Sequence, residues 1–78
     1  MSQERLRAVF ARMLGLSPAE ITDALAYRSV LQWDSVSHMA LVAALEDEFD
    51  VMLETEEVID LSTVAKAKEI LARHGVAF

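Results

Sequence analysis

Apolar positions recur with helical period over most of the chain. From Ser2 to Leu14, the residues Leu6, Val9, Phe10, Met13 and Leu14 fall at i, i+3, i+4, i+7 and i+8, with Arg5, Arg7 and Arg12 elsewhere on the wheel. That spacing predicts an amphipathic helix over 2–14, with Ser2 as its cap, Arg12 at its negative pole and Gly15 as its stop.

The strongest signal runs from Trp33 to Phe49, where an irregular segment ending Trp-Asp-Ser leads into a helix over 35–49 containing neither Gly nor Pro. Leu41, Val42, Leu45 and Phe49 form a core-facing set. Val36, Met39, Ala40 and Ala43 form a second set, rotated round the helix and beginning beside Ser35. A surface helix needs one apolar face. Either this helix is buried all round or its second face is kept for a partner, and the acidic residues at its far end favour the partner. Ser35 is a natural N-cap, and Asp34 suits the positive end of the helix.

Two shorter elements follow. Thr55 is placed to cap a brief helix over 55–60, with Glu56 and Glu57 in its first turn. Ser62 or Thr63 caps a last helix over 63–73, with Val64, Ala67, Ile70 and Leu71 inward and Gly75 as terminator. Val76-Ala77-Phe78 is an apolar tail that either frays or folds Phe78 back on the core. The long connection over 16–32 begins with Ser17-Pro18-Ala19-Glu20, a capping signature for one short turn. Ile21, Leu25, Tyr27, Val30 and Leu31 are too apolar for a solvated linker, so they are expected to anchor this loop, with a brief helical stretch around Thr22–Tyr27. The predicted fold is all-α: an antiparallel four-helix bundle with a long first loop and a short third helix, forming one domain over 1–78.

Composition narrows the function classes. A chain of 78 residues buries only about 60–65% of its unfolded surface, so its stability is modest. It has no cysteine, hence no disulfide and no thiolate metal site. Neither a signal-type leader nor an apolar run near the ~20 residues of a membrane span is present, and a soluble, cytoplasmic monomer is expected. The net charge is −6, and residues 29–65 hold nine of the 13 acidic side chains and no Lys or Arg. Such a middle disfavours nucleic acid and anionic membranes and favours proteins with basic patches. The cluster from Glu46 to Glu57 lacks the alternating acids and central Gly of a calcium loop.

The run Asp34-Ser35-Val36, the helix behind it and its ending Leu45-Glu46-Asp47-Glu48-Phe49 resemble the acyl carrier protein family over roughly residues 3–73. Val36 stands where that family usually has Leu, and Gln32 where many members have Gly. The resemblance implies a serine, Ser35, esterified with 4′-phosphopantetheine from coenzyme A by a phosphopantetheinyl transferase that also contacts Asp34. It implies a carrier that is not itself an enzyme. Val36, Met39 and Ala43 would form the apolar strip gripped by acyl-loading and acyl-transferring enzymes, with Glu46 and Asp47 as flanking charges. Ile59 and Leu61 would join the strip or line a cleft for the cargo, and Trp33 would seal the loop or share the docking surface. Reversing charge at Glu46 and Asp47 is expected to slow partner association with little effect on folding.

The expected function is thus a stand-alone acyl carrier holding acyl or polyketide-type intermediates as thioesters. The rivals are a peptidyl or aminoacyl carrier and an unmodified acidic adaptor in which Ser35 is only a cap. A small hydrolase using Ser35 and His38 is the weakest reading. General-base chemistry needs an orienting group and a pocket, and His38 instead reads as a hydrogen-bonded histidine at the edge of the core.

Overall fold

The computed structural model describes residues 2–78 and is all-helical, with four α-helices and no strand among the described residues. The helices are α1 (Ser2–Leu14), α2 (Ser35–Phe49), α3 (Thr55–Asp60) and α4 (Val64–Arg73), and a single 3-10 turn, Pro18–Glu20, lies in the first loop. Their apolar faces meet in one core. It contains Leu6, Val9, Phe10 and Leu14 of α1, Leu41 and Leu45 of α2, and Val64, Ala67, Ile70 and Leu71 of α4, with Ile21, Trp33 and Leu61 supplied by the connections. Each fully buried Leu, Ile or Phe side chain contributes about 1.5–3 kcal/mol relative to an exposed one, so the loop residues Ile21 and Trp33 weigh as much as helix residues.

Helix ends follow side-chain chemistry, with three differences from expectation. Ser2 is the first residue of α1, not its cap. Thr55 opens α3, whose N-cap position is Glu54; the Glu57 carboxylate accepts from the Glu54 N–H at 2.9 Å. The N-cap of α2 is Asp34, not Ser35, as detailed below. Thr63 caps α4 as expected, its hydroxyl accepting from the Lys66 N–H at 2.9 Å. Gly15 and Gly75, both at positive φ, end α1 and α4. Beyond each, an N–H folds back on the helix: Leu16 donates to the Ala11 carbonyl and Val76 to the Leu71 carbonyl, both at 3.1 Å. Asp50 takes the same left-handed conformation after α2 without being glycine.

The first loop docks on α4. Carbonyls of Leu25 and Asp23 accept from the Val64 and Ala65 N–H groups at 3.0 and 3.1 Å, and the Tyr27 N–H donates to the Ser62 carbonyl at 2.8 Å. The expected helical stretch around Thr22–Tyr27 is therefore absent. Its backbone is extended enough to bridge Ala26 with Thr63, because α4 has first-turn donors that otherwise lack partners. Leu25, Tyr27 and Val30 pack against the core as anchors, but Leu31 is 94% exposed and anchors nothing.

The end of α2 is tied both to α1 and to the last residue of the chain. Arg5 in α1 reaches the end of α2, with Nε 2.8 Å from a Glu48 carboxylate oxygen and its guanidinium 4.8 Å from the Phe49 ring centroid. Phe78 folds back so that its ring lies 6.2 Å from that of Phe49. No helix among the described residues is long and apolar enough to cross a membrane.

Candidate functional site

The first turn of α2 is set by Asp34. Its backbone is extended, its carboxylate accepts from the Ser37 N–H at 2.9 Å, and its carbonyl accepts from the His38 N–H at 2.8 Å. Asp34 thus does the capping that the sequence pattern assigned to Ser35. An N-cap aspartate also places a negative charge on the positive helix end. The Ser37 N–H, and then its hydroxyl, hold the Asp34 carboxyl below its ordinary pKa, because both favour the ionised form.

The consequence for Ser35 is release. As the first helical residue it is exposed, and among the described residues no group hydrogen-bonds its hydroxyl. Of the first-turn donors, the Ser37 N–H is taken by the Asp34 carboxylate.

Beside Ser35 lies a groove of ≈ 350 Å³ lined by Tyr27, Ser35, His38, Met39, Val58, Ile59, Leu61 and Ser62. One wall comes from α2, the other from α3 and the residues after it. Leu61 forms a buried part of the lining, while Met39 and Ile59 are exposed. Four of the eight are apolar and supply most of the lining surface, as in small-molecule sites where a few polar groups give orientation.

His38 belongs to the frame of the groove. The Trp33 indole N–H donates to its Nδ1 at 3.0 Å, and its Nε2 lies 2.9 Å from the Val58 carbonyl. Because Nδ1 accepts, the ring carries its proton on Nε2 and donates it to that carbonyl. Both nitrogens are engaged, so neither is directed at Ser35 as a base. Trp33 itself is 0% exposed and packs edge-on against Phe10 and Tyr27. Its place on a docking surface is accordingly corrected: the indole seals the loop to the core, and its only polar atom is used internally.

The other candidates divide by exposure. Val36 at 79%, Ile59 at 76%, Met39, Ala43 and Asp47 all face solvent. Glu46 differs, because its carboxylate accepts from the Leu53 N–H at 2.8 Å and so fastens the turn after α2. The expectation that charge reversal has little effect on folding thus suits Asp47, whereas Glu46 also has a hydrogen bond to lose. Leu31 and Met52 are exposed apolar residues that the sequence pattern did not place on the surface. Leu31 sat in a run that read as a buried anchor, and only tertiary packing separates it from Val30.

The site therefore has an accessible hydroxyl at the start of α2, an apolar groove next to it, and an exposed apolar surface continuing along α2 and α3. It fits a group attached through Ser35, since the oxygen can be approached and the neighbouring surface can hold an apolar load. The match to known sequence families agrees: residues 4–71 match the family model described as phosphopantetheine attachment site. The chain belongs to that family, that of carriers to which a 4′-phosphopantetheine arm is covalently attached.

Proposed function

We propose that Ser35 is the attachment residue and that the protein is an acyl carrier whose arm holds acyl or polyketide-type intermediates. The observation that carries this reading is the freed Ser35 hydroxyl at the edge of the groove, with Asp34 doing the capping in its place. In the attachment step the Ser35 Oγ–phosphorus bond forms as the pyrophosphate P–O bond of coenzyme A breaks. The adenosine bisphosphate half leaves, and the hydroxyl proton passes to the transferase. The arm supplies a terminal thiol on a flexible tether, which raises the local concentration of a thioester-linked cargo for each enzyme in turn.

The chain's own residues divide the remaining work. Asp34 orients the first turn and presents a charge to the phosphopantetheinyl transferase. Val36, Met39, Ala43 and Ile59 offer the apolar strip to acyl-handling enzymes, and Asp47 and Glu46 attract their basic patches. His38, with both nitrogens occupied, supports a carrier over a hydrolase. The reading takes residues 1–78 as one carrier domain, monomeric and cytoplasmic, that is not itself an enzyme. Its helices are read as an antiparallel bundle, in keeping with the contact of Arg5 near the start of α1 with Glu48 near the end of α2.

Intact mass after incubation with coenzyme A and a phosphopantetheinyl transferase tests the proposal. One arm is gained by the wild type and by Ser37→Ala, and none by Ser35→Ala. An unmodified adaptor would gain nothing in any of the three, and a peptidyl carrier would gain the arm but accept aminoacyl in preference to acyl loads.

A further inference from the structure

We propose that Trp33 and His38 set an upper limit on cargo size, so that this carrier shelters short or single-ring loads in the groove and does not draw long acyl chains into its core. The proposal rests on attachment at Ser35 and concerns what happens next to it.

The groove's ≈ 350 Å³ lies near the small end of the roughly 300–1,000 Å³ that small-molecule sites span. Its extension inward is blocked by a bonded barrier. Tyr27, His38 and Val58 line the groove, and Trp33, fully buried, contacts both of the aromatic ones from the core side. The indole ring lies 6.1 Å from the His38 ring at 25°, 6.3 Å from Tyr27 at 84° and 5.4 Å from Phe10 at 78°. A line of hydrogen bonds runs through the same groups, from the Trp33 N–H to His38 Nδ1 and from His38 Nε2–H to the Val58 carbonyl. That line ties the first loop to α2 and α2 to α3.

A chain passing from the groove to the core would have to part α2 from α3 at His38. It would break the bond from His38 Nε2–H to the Val58 carbonyl, the tie that braces the ring against which the buried indole stacks. Unpaired part-buried polar groups cost stability, and the core side of the indole is already filled, Phe10 packing edge-on against it. A short load meets no such barrier. It needs only the apolar lining of Met39, Val58, Ile59 and Leu61.

The test uses the protein loaded at Ser35 with acetyl, hexanoyl or hexadecanoyl arms, made from the corresponding coenzyme A thioesters and verified by intact mass. Two quantities are read, the Tm and the hydrogen exchange of the indole proton, which is unique because the chain has one tryptophan. The expected result is a Tm higher by about 4 °C or more for hexanoyl than for acetyl, no further rise for hexadecanoyl, and the same indole exchange in all three. In His38→Ala the hexadecanoyl form is expected to gain over the hexanoyl form, with faster indole exchange. A Tm that climbs through hexadecanoyl in the wild type, indole exchange that changes with chain length, or no difference between acetyl and hexanoyl would each overturn the limit. The wild-type series decides this even where His38→Ala fails to fold. Absence of any mass gain would be a different failure, that of attachment at Ser35.

Discussion

At the scale of single residues the site depends on a division of labour between neighbours. Asp34 caps, so Ser35 is free; Trp33 seals, and His38 ties the seal to α3. Replacing Trp33 shows the two parts of its role. Trp33→Ala removes a fully buried indole and is expected to cost about 3–5 kcal/mol. Trp33→Phe keeps most of the packing but takes away the donor to His38 Nδ1, an expected loss of about 1–3 kcal/mol. Urea unfolding followed by far-UV circular dichroism measures both, and a Trp33→Phe variant as stable as the wild type would mean that the hydrogen bond contributes nothing. Asp34 makes a prediction in pH. Its carboxyl is held below its ordinary value by Ser37, so the folded state binds a proton less readily than the unfolded chain. The stabilisation is complete above the unfolded value, about pH 4, and is lost as pH falls through the lower, folded one. Asp34→Asn keeps the acceptor and removes the titration. Its Tm should therefore fall less than that of the wild type between pH 6 and pH 3. Which residue caps was only half legible in the sequence: Asp34 and Ser35 are both good caps, and the choice between them rests on backbone dihedrals.

At the scale of elements, the helices with a strong apolar period were legible and the connections were not. The inward positions of α4, namely Val64, Ala67, Ile70 and Leu71, follow directly from spacing. The segment over Thr22–Tyr27 does not, because its conformation is decided by the donors of α4, some forty residues onward. Thr63→Ala is expected to lose about 1 kcal/mol, since the Lys66 N–H loses its acceptor. Arg28 lies in this loop at φ 66°, a left-handed conformation that costs a non-glycine residue about 1–2 kcal/mol. Arg28→Gly relieves that strain, and the unfolded chain gains freedom worth about 0.5–1 kcal/mol. A net stabilisation of up to about 1.5 kcal/mol is expected, read as a higher denaturation midpoint at unchanged slope. The short α3 is different in kind: it buries none of its own residues and is held by polar ties. The Glu57 carboxylate accepts from the Glu54 N–H and lies 2.9 Å from His74 Nε2, and the Glu54 N–H, then His74, hold its pKa below the ordinary value. Acid therefore loosens α3 as pH falls through the carboxylate range, and Glu57→Gln should blunt that response.

At the scale of the whole molecule, charge that looks uniform in sequence is sorted by the fold into spent and available. Glu48 is paired with Arg5, Asp60 with Lys66 and Glu57 with His74, and Glu46 is turned onto the Leu53 N–H. Asp47 has no basic partner among the described residues and is exposed on α2 near the apolar strip. The sequence shows that the middle of the chain is acidic; only the contacts show which acids still project a field. The available charge should act on encounter, because exposed charges steer association and are screened over about 8 Å at physiological salt. Asp47→Lys is thus expected to slow arm transfer by a phosphopantetheinyl transferase roughly threefold to tenfold at low ionic strength. The deficit should shrink as salt is added, with stability unchanged within about 0.5 kcal/mol. Glu46→Lys should slow transfer too, but with a lowered Tm, since the Leu53 N–H then faces a cation. Glu46→Gln, which keeps an acceptor, separates the two effects: it should recover most of the Tm and only part of the rate. Initial rates against salt for the three variants decide the matter, and a deficit in Asp47→Lys that persists at high salt would locate its effect in the bound complex and not in the approach.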